Sequence, residues 1–145
     1  MKKDDSLFVY GTLMKGERAD ITEKRIFAVS SLGKDVINGD LYHIGSYPGL
    51  KLIPGLDGFD DSKPTVKGEV YLINDSSVTA LLDAYEGYDA DNPEGGLYNR
   101  QQVYTCSGRL VWVYTFNLPT RSDQLIETGD WRNPRLVCSR KIPSV

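Results

Sequence analysis

The sequence predicts a single α+β domain built on a mainly antiparallel, barrel-like sheet. Short runs rich in apolar and β-branched residues recur along the chain between clusters of turn residues, the pattern of many strands. One stretch, opening at Asn74, has helical spacing instead. A late strand, Arg109 to Asn117, sets Leu110, Trp112, Tyr114 and Phe116 against Val111, Val113 and Thr115. Both of its faces are largely apolar, so both are covered, as in a sheet that closes on itself.

Taken in order, residues 6 to 11 read as a buried strand, Ser6 to Gly11. Glu17 to Lys24 suits one or two helical turns. Ile26 to Leu32 and Val36 to Ile44 read as two extended strands, bent at Gly33 and Gly39. Gly45-Ser46-Tyr47-Pro48-Gly49 is turn chemistry, and Leu50 to Ile53 a short strand. An acidic loop follows, and Thr65 to Ile73 alternates as a half-buried strand does.

The clearest helix comes next. Asn74, Asp75 and Ser76 are good N-caps, and Val78, Leu81, Leu82 and Tyr85 fall at i, i+3, i+4 and i+7. Gly87 supplies a left-handed stop. At roughly 100° per residue Glu86 lies about 40° beyond Leu82, on the edge of the apolar stripe. Leu97 to Thr105 and Arg109 to Asn117 are two strands, joined by the Cys106-Ser107-Gly108 turn.

Composition bounds the function. At 145 residues and 40% hydrophobic content, residues 1–145 form one domain with a real core. A net charge of −3 gives no reason to expect nucleic acid, and the basic residues Arg132, Arg135, Arg140 and Lys141 read as a solvated tail. No apolar run approaches the ~20 residues of a membrane span. Nothing in Met1-Lys2-Lys3-Asp4-Asp5 resembles a signal peptide, so Cys106 and Cys138 are expected as reduced thiols in a cytoplasmic protein. One histidine, His43, makes zinc sites and histidine triads hard to assemble. Oligomeric state is left open.

Two features carry chemistry. The strand ending in Tyr10-Gly11-Thr12-Leu13 is either an ordinary strand end or a turn whose amides and Thr12 hydroxyl grip a carboxylate. It lacks the Lys-terminated pattern of a phosphate loop. Glu86 is either an exposed helix-end glutamate or a proton carrier. Its stripe-edge position, its neighbours Tyr85 and Tyr88, and the negative end of the helix dipole all favour its protonated form. Tyr47, Tyr98 and Tyr114 are the tyrosines placed near a pocket. The acidic clusters Asp57, Asp60, Asp61 and Asp89, Asp91, Glu94 depart from calcium-loop spacing and read as solvated loops.

With these residues in view, the chain resembles the gamma-glutamylcyclotransferase-like family, including the gamma-glutamylamine cyclotransferases. The resemblance rests on Phe8-Val9-Tyr10-Gly11-Thr12-Leu13, on Leu82 to Tyr88, on Leu97-Tyr98-Asn99-Arg100, on Val111 to Tyr114, and on Gly129-Asp130-Trp131. It implies a small mixed barrel with flanking helices and a small-molecule γ-glutamyl substrate. The Tyr10-to-Leu13 turn would bind the glutamyl α-carboxylate, with Thr12 where the family often has Ser. Tyr47, Tyr98, Arg100 and Tyr114 would complete the substrate site, and Glu86 would be the general acid/base. The implied reaction converts a γ-glutamyl amine or amide to 5-oxoproline and free amine, with no metal or cofactor. A non-catalytic carboxylate-binding module is the alternative. A glycosidase pairing Glu86 with Asp83 or Asp89 is weaker, since nothing indicates a sugar-stacking cleft.

Overall fold

A computed structural model describes residues 1–23 and 28–133. Seven strands and one α-helix follow one another: β1 (Ser6–Val9), β2 (Val29–Asn38), β3 (Asp40–His43), β4 (Pro48–Lys51), β5 (Thr65–Ile73), α1 (Ser77–Glu86), β6 (Tyr98–Tyr104) and β7 (Leu110–Phe116), then a 3-10 turn at Ser122–Gln124. The expected α+β class holds. Five strands form one sheet in the order β2-β5-β1-β7-β6, and β3 and β4 form a separate ribbon. Every pairing is antiparallel except β1 with β7, which makes the sheet mixed.

Strand β1 is central and buried on both faces, so its side chains divide with the period of two that a strand imposes. Leu7 and Val9 join a cluster with Val78 and Leu82 of α1 and with Tyr114 and Phe116 of β7. Phe8 and Tyr10 join another with Leu41 and Leu50 of the ribbon, Val111 and Val113 of β7, and Ile126. The sheet curls around this second cluster. Its edges meet at the β6–β7 turn, where the Cys106 amide donates to the Val36 carbonyl at 2.8 Å and Ser107 Oγ to Asp35 at 2.5 Å. This junction is a pair of hydrogen bonds rather than a full ladder, so the barrel closes at a corner only.

Four expectations are corrected. The stretch from Glu17 onward is a chain of hydrogen-bonded turns, not helix, because Asp20 accepts from the amides of Gly16 and Thr22 and so competes with helical bonding. The strand break falls at Gly39 alone. Gly33, at φ 97°, is accommodated by a bulge within a continuous β2. On α1 the buried stripe is Val78 and Leu82, whereas Leu81 and Tyr85 are exposed. Ile26, Phe27, Lys24, Cys138, Arg135, Arg140 and Lys141 lie outside the described residues. Arg132 is not a solvated cation; it pairs with Glu17 and Glu69 at 3.3 Å each.

Gly68 of β5 passes directly over β1. A Cβ there would lie 2.5 Å from the Phe8 ring and closer still to the Val9 carbonyl oxygen. Gly68→Ala is therefore expected to destabilise the fold by about 2 kcal/mol through overpacking, read as a lower urea midpoint at unchanged slope.

Candidate active site

The site begins where β1 stops. The carbonyls of Gly11, Thr12 and Leu13 accept from the amides of Met14, Ala19 and Ile21. Among the described residues the amides of Gly11, Thr12 and Leu13 themselves meet no acceptor. The glycine is not there for a left-handed conformation, since no positive φ occurs at Gly11. It is there for space: a Cβ would overlap the Pro48 ring, with Cδ at 2.8 Å and Cγ nearer. The turn is thus pressed against the start of β4.

Across from the turn stands the end of α1. The Gly87 amide donates to the Ala84 carbonyl and the Tyr88 amide to that of Asp83, with Gly87 at φ 68°, which is a Schellman stop. It makes Glu86 the final helical residue, one more i+4 step along the buried line of Val78 and Leu82. Glu86 is half-buried. Burial pushes its carboxyl up to about 8 from the ordinary glutamate value of 4.5. Among the described residues neither a hydrogen bond nor an ion pair offsets that burial.

Turn and helix end enclose one cavity of about 270 Å³. Tyr10, Gly11, Thr12, Leu13, Tyr47, Tyr98, Tyr114 and Glu86 all line it. Arg100 does not. It lies one layer behind, with Nη1 at 3.0 and 3.1 Å from the two oxygens of Asp83 and its guanidinium over the rings of Tyr88 (4.8 Å) and Trp112 (5.2 Å). Asp83 also accepts from Tyr114 Oη at 2.7 Å. That engagement leaves the glycosidase pairing without its second carboxylate at Asp83.

Four residues take part in ways the sequence did not indicate. Tyr85 shares a 3.1 Å hydrogen bond with Thr12 Oγ1 and so ties helix to turn. Pro48 accepts from Tyr98 Oη at 2.5 Å. Asp83 anchors Tyr114, and Arg18 brings a cation to the cavity lining, held by the Ser46 carbonyl at 3.0 Å. His43 lies elsewhere, against Trp131. Among the described residues no group of His, Cys, Asp and Glu is gathered closely enough to hold a metal ion. No helix among them is long and apolar enough to cross a membrane.

A mixed, curled sheet whose central strand ends in a turn, faced across one cavity by a glutamate of raised proton affinity, is the frame on which this site is built. Residues 7–133 match the family described as Gamma-glutamyl cyclotransferase, AIG2-like, and the chain belongs to that family. The gamma-glutamylcyclotransferase family protein YtfP of Escherichia coli K12 is 34% identical over 127 residues, covering 86% of this chain and 94% of YtfP. The gamma-L-glutamyl-butirosin B gamma-glutamyl cyclotransferase of Niallia circulans is 32% identical, covering 90% of this chain and 78% of that protein. The fold is similar to that of an aig2-like protein from mouse, with a TM-score of 0.61 at 24% identity over 81% of this chain and 80% of that one.

The raised proton affinity of Glu86 has a signed consequence for stability. Between about 4.5 and 8 the native state carries a proton that the unfolded chain has lost, so stability falls as pH rises through that window. Gln does not titrate. The melting temperature of Glu86→Gln relative to the wild type is accordingly expected to increase from pH 5 to pH 9, measured by thermal melts across that range.

Proposed function

We propose that the protein is a cyclotransferase that converts a γ-glutamyl amine or related small γ-glutamyl amide to 5-oxoproline and free amine, with Glu86 as the general acid/base. The observation that carries this reading is one cavity lined both by a carboxyl of raised proton affinity and by a turn with unclaimed amides. Family membership supports the same chemistry, and the Niallia circulans relative bears the name of such an activity.

The glutamyl α-carboxylate sits on the Gly11–Leu13 amides and the Thr12 hydroxyl. This orients the α-amine and the γ-carbonyl toward Glu86. The α-ammonium of such a substrate is a weaker acid than a glutamic acid in water, and the raised proton affinity of Glu86 narrows that gap, which eases proton transfer between them. Glu86 takes a proton and frees the amine. The nitrogen attacks the γ-carbon, a five-membered ring closes, and the bond to the leaving nitrogen breaks. Protons shed by the attacking nitrogen end on the leaving amine, one of them through Glu86. Because nucleophile and electrophile share one molecule, most of the acceleration comes from holding the folded conformer.

Incubation with a panel of γ-glutamyl amines, assayed for 5-oxoproline, tests the reading. Product from at least one member is expected, with kcat/KM rising as pH climbs through about 8, where the basic form of Glu86 accumulates. Glu86→Gln should lower turnover by about 100-fold or more while 5-oxoproline still binds. No product from any member, with binding intact, would instead identify a carboxylate-binding module.

The turn has its own test. Gly11→Ala should push the amides off Pro48 and weaken 5-oxoproline binding about tenfold, whereas Thr12→Ser should be nearly neutral. Calorimetric titration of the folded variants reads both, and an unchanged Gly11→Ala affinity would remove the carboxylate from this turn.

A further inference from the structure

Two of the tyrosines that line the cavity have already committed their protons. Tyr98 Oη donates to the Pro48 carbonyl at 2.5 Å, and Tyr114 Oη donates to Asp83 Oδ1 at 2.7 Å. A carbonyl oxygen has no proton to return, and neither has the Asp83 carboxylate in its ion pair with Arg100, so both bonds have a fixed direction. A phenol owns one O–H and two lone pairs. What these two hydroxyls still offer a ligand is lone pairs alone. Tyr10 Oη is likewise spent, on the Tyr114 carbonyl at 2.5 Å, but it belongs to the second core cluster.

Both tyrosines line the cavity that Glu86 also lines, and Glu86 adds two further acceptor oxygens when ionised. The Gly11–Leu13 turn, by contrast, presents donors. Donors at one end and acceptors at the other match the polarity of an α-amino acid, whose carboxylate and ammonium lie on the same carbon.

We propose that Tyr98 Oη and Tyr114 Oη, with the Glu86 carboxylate, form a subsite for the α-ammonium of the substrate, and that Asp83 is a positioning residue that keeps the Tyr114 oxygen acceptor-facing. This rests on the cyclotransferase reading for the identity of the substrate. Asp83 does not reach the ligand. It acts by holding the Tyr114 proton, and Arg100, stacked on Tyr88 and Trp112, holds Asp83.

The experiment compares two ligands by calorimetric titration: L-glutamate, and glutarate, which has the same chain and carboxylates but no ammonium. The wild type should prefer glutamate by about tenfold or more. Tyr98→Phe and Tyr114→Phe should each reduce that preference about fivefold while leaving glutarate affinity unchanged. In Asp83→Asn, Arg100 claims the amide oxygen and the amide N–H turns toward Tyr114, which reverses that bond and should reduce the preference similarly. Combining Asp83→Asn with Tyr114→Phe should reduce it no further, an outcome that a merely structural aspartate would not give.

A wild-type preference under about threefold, including no measurable binding of either ligand, overturns the subsite. So does full preference in the two Phe variants, which keep the ring and its packing even where Asp83→Asn does not fold. 5-Oxoproline release from a γ-glutamyl amine, measured on the same preparations, separates the two readings. Turnover without the preference removes the subsite and leaves the cyclotransferase. The preference without turnover does the opposite.

Discussion

The contact between Gly11 and Pro48 fixes more of this molecule than its size suggests. It brings the end of β1 to the start of β4 with no room for even a methyl group between them. The same proline passes its carbonyl to Tyr98 and opens the register of the β3–β4 ribbon, where it stands opposite His43. Position of the turn, orientation of Tyr98 and placement of the ribbon are therefore one constraint. A turn free to drift would lose its facing relation to the helix end, and the cavity would have no fixed length.

The electrostatics follow from how the second charged pair is kept apart. Arg100 lies beside the last turn of α1, and Asp83 takes it up on two oxygens. Glu86 is left with its desolvation unopposed, which raises its proton affinity. An open guanidinium beside it would have had the reverse effect. The Asp83–Arg100 pair thus protects a carboxyl it does not touch, and it does so by being neutral as a unit. An isolated pair of this kind is weak support for stability, because burying both charges offsets most of their attraction.

Much of the architecture could be read from the chain itself where the signal is local. Strand β5, helix α1 with its glycine stop, and the β6–β7 hairpin each announce themselves through periodicity and turn residues within a short window. Glu86 and the Tyr10–Leu13 turn were legible for the same reason. The remainder depends on partners distant in sequence. Pro48 matters because of Gly11, Asp83 because of Arg100 and Tyr114, Tyr85 because of Thr12, and no spacing encodes such meetings. Leu81 and Tyr85 fit the apolar stripe by periodicity, yet only Val78 and Leu82 of α1 are buried in the core. Asp20 drew its own segment away from helix through bonds to neighbouring amides, which propensity alone does not weigh.

The order of strands in the main sheet also governs how the chain must assemble. β1 is made first but lies in the middle, between β5 and β7, with Leu7 opposite Tyr71 on one edge and Trp112 on the other. During synthesis its two hydrogen-bonding edges stay open until most of the chain has emerged. Closing loops of that length must precede the contacts that reward it, so the topology imposes a slow, late-committing folding reaction. A short apolar strand waiting unpaired is also an adhesive segment in a growing chain. Its brevity, four residues, limits that hazard, and the pocket it later anchors comes into being only when the last strands arrive.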